Sequence, residues 1–380
     1  LLRPVGEFIS LPSKSFSYTT GICFQLLWIP VLLFLLNTWN FSQSVKLTIL
    51  LCVALNGFIF YNSIFVWPKL CAGALMLGAI YLYWSRGLHD RVNTFLIACL
   101  ISLAWLSHGG AAISIVPTLI LVLARRKTYT ARNLAFATVT VATLCLPWVV
   151  YQKSYDPPAN RLFKWHLAGV EQVDERGTFQ TLSDSYGKLT LEEFARNRIS
   201  NVKRLFGDRL DYLAIMEQST QRRIDQDFYF VFRSSEFALF CSFILLITIT
   251  LKRRKYMLSL FKKYNFFIYC LIYSLIFWIL IKFSPNTTTN HQGSYLNNLI
   301  IIIFPLIFIA KRNILLLYCT LFVSILHFSI TYIPKYNSSF LGINYFSAFS
   351  AFFIVLFCLF NVFFRYFNKY TERKKGEILA

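Results

Sequence analysis

Thirteen of the 17 acidic residues lie between Asp156 and Glu236, so a reaction that needs a carboxylate has few other places to occur. Asp156 comes first, in Tyr155-Asp156-Pro157-Pro158, where the paired prolines hold the backbone extended. A carboxylate fixed there has the chemistry of a general base, a metal ligand or a partner for sugar hydroxyls; the ordinary use of Asp beside Pro is a turn. His166 and Asp174 follow, in Lys164-Trp165-His166 and Asp174-Glu175-Arg176. With Asp156 they make a candidate acid/base group, set against the competing reading of a polar loop. Their order and spacing match no metal-ligand signature, and no metal site is expected.

The second set is cationic. Trp67-Pro68-Lys69 places a lysine where proline favours the first turn of a helix. A cation there opposes the helix dipole and is better placed beside an anion, of which a lipid-linked phosphate is the obvious example; a lysine snorkelling to an interface is the alternative. His108 stands beside Gly109 and Gly110. Lys282 precedes Ser284-Pro-Asn-Thr-Thr-Thr-Asn-His291-Gln292-Gly-Ser-Tyr295, a segment with many hydrogen-bonding groups and no acid. His291, Gln292 and Tyr295, with Lys69, His108 and Lys282, form the expected wall of a phosphate and sugar site.

What must position these groups is hydrocarbon-compatible sequence. The chain has 380 residues, 56% hydrophobic and only 14% charged, against about 25% charged in soluble proteins. Apolar runs long enough to cross a bilayer recur. About eleven spans are expected, near 21–39, 46–61, 68–84, 94–107, 109–124, 134–151, 233–251, 266–283, 296–310, 314–332 and 344–366. The expected fold is all-α: a polytopic transmembrane bundle with one extracytoplasmic loop domain. Residues 1–20 end an outer loop, 21–151 hold six helices, 152–232 form the loop domain, 233–366 hold five helices and 367–380 are a basic tail. The glycines after Ser107-His108 favour a turn between two helices rather than one long span.

The net charge of +21 does not imply nucleic acid. Its lysines and arginines sit in short clusters between apolar runs, as in Arg125-Arg126-Lys127, Lys252-Arg253-Arg254-Lys255 and Arg373-Lys374-Lys375. Outside the acid-rich insert, 20 basic residues fall on one side of the expected bilayer and five on the other. The positive-inside rule then makes the C-terminus cytoplasmic and the insert extracytoplasmic. Nine cysteines are present without a CxxC pair, and they are read as packing residues. No Walker lysine motif and no GxGxxG opens a helix. Apart from Glu236 near the start of the span at 233–251, the expected spans carry no acid, which disfavours an ion-coupled transporter. Thr190-Leu191-Glu192-Glu193 is a capping box, and it predicts an amphipathic helix that lies on the membrane or packs within the insert.

Many short-looped spans, outward acids, a span opening at Trp67-Pro68-Lys69 and the helical pair joined at Gly109-Gly110 resemble the GT-C superfamily of polytopic glycosyltransferases. The pattern covers residues 20–151. The resemblance implies transfer of a sugar from a polyprenyl-phosphate donor to a lipid or polysaccharide at the outer face of a bacterial inner membrane. No catalytic residue of the family maps onto this chain. On the transferase reading Asp156, or the first-loop acid, takes the acceptor proton and Lys69, His108, Lys282 and His291 hold the donor phosphate, with no firm cofactor and the divalent-metal need open. That superfamily carries its key acid in the first outer loop. Here Glu7 is the only acid before the first span, so the expectation is that the chain is truncated and the corresponding acid precedes Leu1. Two alternatives are an O-antigen polymerase or ligase, in which Arg161, His166 and Arg176 would matter most, and a non-enzymatic flippase or scaffold.

Overall fold

A computed structural model describes residues 20–65, 67–155, 157, 160–172, 174–205, 254–284, 295–331, 339–340, 343–344, 350, 352–359 and 361–362. Helices carry nearly all of them. The exception is a two-residue antiparallel pair, Ser339–Phe340 with Ile343–Asn344.

The bundle is organised around α4 (Lys69–Arg86), whose residues from Lys69 to Ile80 are all buried. A helix that is apolar or small on every side belongs in the middle of a bundle. Around it stand α1 (Trp28–Asn37), α3 (Gly57–Ile64), α5 (Arg91–Ser107), α6 (Ala112–Ala124) and α12 (Tyr295–Arg312), while α2 (Gln43–Ala54) packs on α1, α3 and α12. α11 (Arg254–Ile281) packs on α6 and α12, α13 (Ile314–Thr331) on α2 and α12, and α7 (Ala131–Tyr155) on α5. One continuous apolar core joins α1, α2, α3, α4 and α12.

Residues 46–61 do not form one straight helix. α2 and α3 meet at a 73° bend, because the Asn56 side chain accepts from the Phe58 and Ile59 amides and starts a new helix. The chain turns at Gly109-Gly110: α5 ends at Ser107, His108 is extended, and a short 3₁₀ turn over Gly109–Ala111 leads into α6. Asp90 caps α5 by accepting from the Asn93 amide at 2.7 Å, which gives this isolated acid a structural use. At the Arg86 end of α4, Gly87 adopts φ 64°. A side chain there would meet the Thr128 carbonyl oxygen at 2.7 Å, so the close approach and the backbone both require glycine.

Four described helices are long and apolar enough to cross a membrane, or five when the bent α2–α3 pair is taken as one span. α7 is the clearest. None of its apolar 18-residue window is buried inside the protein, and Val139, Leu146 and Val150 are more than half exposed. So large an exposed apolar surface among the described residues is compatible with a membrane surrounding.

The insert after α7 contains α8 (Arg161–Ala168), α9 (Thr178–Gly187) and α10 (Leu191–Leu205). The capping box closes reciprocally, the Thr190 amide donating to Glu193 Oε2 at 2.9 Å and the Glu193 amide to Thr190 Oγ1 at 3.2 Å. α8 and α10 both dock on the end of α11. The Phe283 amide donates to the His166 carbonyl at 3.0 Å, and Arg198 and Asn201 of α10 donate to carbonyls between Ile279 and Phe283.

Candidate anion site at the Lys69 end of the bundle

Lys69, His108 and Tyr295 line one cavity. α4 contributes Lys69, Gly73 and Met76, the turn after α5 contributes His108 and Gly110, and α12 contributes Tyr295 and Leu296. No carboxylate is among the described lining residues. The enclosed part is small, about 10 Å³ open to the centre of a water-sized sphere, enough for one small polar group.

Lys69 is only 2% exposed. Its Nζ stands 4.0 Å from the centroid of the Trp67 ring and 6.0 Å from that of Tyr295, so two π-faces offset part of the lost hydration. The segment leading to it is pinned by Gln25. That side chain donates to the carbonyls of Phe65 and Trp67 and accepts from the Cys71 amide at 2.9 Å. Gln25 was no candidate on sequence grounds, although a fully buried amide in an apolar run is a signal that backbone groups need it.

His108 Nδ1 accepts from the Gly110 amide at 3.0 Å. The bond fixes the neutral tautomer with its proton on Nε2, a hydrogen-bond donor. A side chain at Gly110 would meet the His108 ring at 2.7 Å, so glycine is what allows this conformation. Burial, then the charges of Lys69, His166 and Lys282, push His108 down to about 4. His166 and Lys282 are thus near enough to act on His108 electrostatically. Lys282 is buried just beyond α11, and His166 stacks on Trp165 with ring centroids 4.8 Å apart.

The lowered His108 value has a consequence for stability. Between the unfolded value near 6.5 and the folded value of about 4, the unfolded chain binds the additional proton, so stability falls as pH drops through that window. Thermal unfolding in detergent micelles between pH 7 and pH 4 is expected to show this fall, and His108→Gln to flatten it. An unchanged slope in the variant would assign the dependence to other groups.

Asp174 sits apart from this cavity in a network of its own. Arg176 Nε donates to Asp174 Oδ1 at 2.9 Å, Arg176 Nη2 to Oδ2 at 3.0 Å and Thr181 Oγ1 to Oδ2 at 2.7 Å. Hydrogen bonds from Arg176 and Thr181 hold its carboxyl well below the usual carboxylate range. The buried Lys164 ammonium lies 3.7 Å from Oδ2 and donates to the Asp174 and Arg176 carbonyls. These contacts fold the loop between α8 and α9, and so weak a base has little use in proton abstraction. Asp156, His291 and Gln292 fall outside the described residues. No cluster of three or more His, Cys, Asp or Glu with metal-binding geometry occurs among the described residues.

Taken together, fold and site define a helical protein with membrane-compatible helices and a cationic, acid-free pocket at one end. No protein-family model, curated protein or solved structure matches the chain.

Proposed function

We propose that the chain is an integral membrane glycosyltransferase that holds the phosphate of a polyprenyl-phosphate sugar between Lys69, His108 and Lys282 at the outer face of a bacterial inner membrane. The observation that carries this reading is the shared cavity of Lys69, His108 and Tyr295, with the basic side chains of His166 and Lys282 in electrostatic reach of His108 and no acid among the described lining residues. Lys69 adds its charge to the positive end of the α4 dipole, an arrangement that favours an anionic ligand. The narrow hollow suits a phosphate oxygen rather than a sugar ring. Exposed apolar helices such as α7 support a bilayer around the bundle, from which a polyprenyl chain could reach the pocket from the side.

In the reaction, a base takes the proton of the acceptor hydroxyl, and the oxygen attacks the anomeric carbon from the side opposite the phosphate. The bond between that carbon and the phosphate oxygen breaks with inversion. Polyprenyl phosphate leaves with the electron pair, its growing negative charge held by the Lys69 and Lys282 ammonium groups and His108 Nε2–H. Asp156 supplies the base. The polymerase or ligase alternative relies on Arg161, His166 and Arg176. Arg161 donates to the Glu171 carbonyl at 3.2 Å, and Arg176 is held by Asp174 and Asp184; these internal roles favour the first reading.

Trp67, beside Lys69, provides a fluorescence signal for titrating the reconstituted protein with undecaprenyl phosphate. Lys69→Met and Lys282→Met are each expected to weaken binding about 10- to 100-fold, the worth of a charge-assisted hydrogen bond. Asp156→Asn should leave binding intact and slow transfer. If neutral undecaprenol binds as well as the phosphate, or both lysine variants bind normally, the site is not an anion site and the proposal fails.

A further inference from the structure

The insert is built with its polarity reversed. Lys164, Thr181, Arg198 and Asn201 are buried, whereas Leu191 is 84% and Ile199 58% exposed, with Val202 also exposed. Leu191, Ala195, Ile199 and Val202 recur at i, i+4, i+8 and i+11, so they form one stripe along α10. The stripe is neither the face docked on α11 nor the face that carries Glu192 and Arg196.

The depth of α10 is set by what it docks on. Arg198 and Asn201 donate to carbonyls of Ile279, Leu280, Lys282 and Phe283, where α11, one of the helices able to cross a membrane, comes to its end. α11 itself carries exposed apolar residues at Tyr269, Ile272, Tyr273, Ile276 and Leu280. Leu280 belongs to that lipid-compatible surface and bonds through its carbonyl to Arg198. Ile199 and Val202 of the stripe are therefore the chain neighbours of the two residues that bond to the end of α11.

We infer that α10 is an interfacial helix, its Leu191–Ala195–Ile199–Val202 stripe sunk among the upper acyl chains of the bilayer that α11 crosses. In water this stripe would be an uncompensated apolar surface, whereas in the interface it adds burial. Arg196 and Lys203, on the flank away from α11, stay at headgroup level, where long basic side chains are stable. Sunk in this way, α10 anchors the insert over the Lys282 side of the pocket. The inference rests on a bilayer around α11 and is independent of sugar transfer.

The test uses the full chain in phosphatidylcholine–phosphatidylglycerol nanodiscs, with p-benzoylphenylalanine introduced singly at 202, 199, 200 or 276. After irradiation, mass spectrometry is expected to find several-fold more lipid adduct at 202 and 199 than at 200, on the far side of the helix, with 276 labelling lipid as the benchmark for α11. Adducts at 202 and 199 to protein instead of lipid would identify the stripe as a protein-docking face and overturn the inference. So would equal labelling at 200 and 202, or no lipid adduct at either stripe position while 276 is labelled. Failure of 276 to label would remove the bilayer from α11 and the inference with it.

Discussion

Gly73→Ala is expected to lower the melting temperature of the detergent-solubilised protein by several degrees and to abolish binding at the Lys69 pocket. A Cβ at this position would lie 2.7 Å from the Tyr295 carbonyl carbon and 2.9 Å from the Leu296 nitrogen. Both are backbone atoms of α12, so no side-chain rotation relieves the clash and the two helices must separate. Overpacking of this kind costs about 1–3 kcal/mol, and small residues are what permit such close helix crossings. The same separation carries Tyr295 away from Lys69, which lies one turn before Gly73, and opens the cavity they share. Gly78 supplies the control. A Cβ there meets Val31 and Leu100 side chains at 3.5 and 3.6 Å, ordinary contact distances, so Gly78→Ala is expected to be neutral or stabilising through helix propensity, by up to about 1 kcal/mol. Equal melting temperatures for the two variants would show that α4 and α12 are not held at the spacing that defines the pocket.

The same crossing illustrates what could and could not be read from sequence. Lys69, His108 and Tyr295 were legible as polar or aromatic groups at the ends of apolar runs, and His108 with its glycines also signalled the turn that holds it. Nothing in their spacing shows that residues 69, 108 and 295 meet, because only packing of α4, α5 and α12 decides that. Gly73 looked like one small residue among many in its span. Its importance lies in a neighbour more than 200 positions away. The break at Asn56 was hidden for a different reason: apolar content continues across it, and a single capping side chain overrides the hydropathy of the run. α10 shows the limit most clearly. Its start was plain from Thr190 and Glu193, but an amphipathic pattern does not say which face is buried. The usual assumption would bury Leu191, Ile199 and Val202. Here the carbonyls at the end of α11 claim Arg198 and Asn201, and the polar side turns inward.

That competition makes Arg198 the residue on which the placement of the insert depends. The last carbonyls of a helix have no partner within it. At the end of α11, Arg198 Nη1 donates to the Ile279 carbonyl at 3.1 Å and to that of Leu280, and Nη2 donates to that of Phe283 at 2.8 Å. The guanidinium also lies over the Phe194 ring, 4.8 Å from its centroid, and its positive charge complements the negative end of the α11 dipole. Arg198→Ala removes these donors at a site only 8% exposed, with Asn201 remaining on the Ile279 carbonyl. Hydrogen exchange is expected to speed up about 30- to 150-fold across α10 and residues 278–283, corresponding to about 2–3 kcal/mol of local stability for hydrogen bonds to a charged group. Arg198→Lys should not restore protection, because a point charge cannot span three carbonyls as the planar fork does. Arg196→Ala is the matched control: Arg196 is 68% exposed and pairs only with Glu192 in the i,i+4 sense, so its loss should leave exchange nearly unchanged. Asn201, which holds the Lys282 carbonyl at 2.9 Å, links the same junction to the pocket. Arg198→Ala is therefore expected to weaken undecaprenyl-phosphate binding as well, by less than Lys282→Met does. Identical exchange in the Arg198 and Arg196 variants would mean that α10 is held by something other than the end of α11.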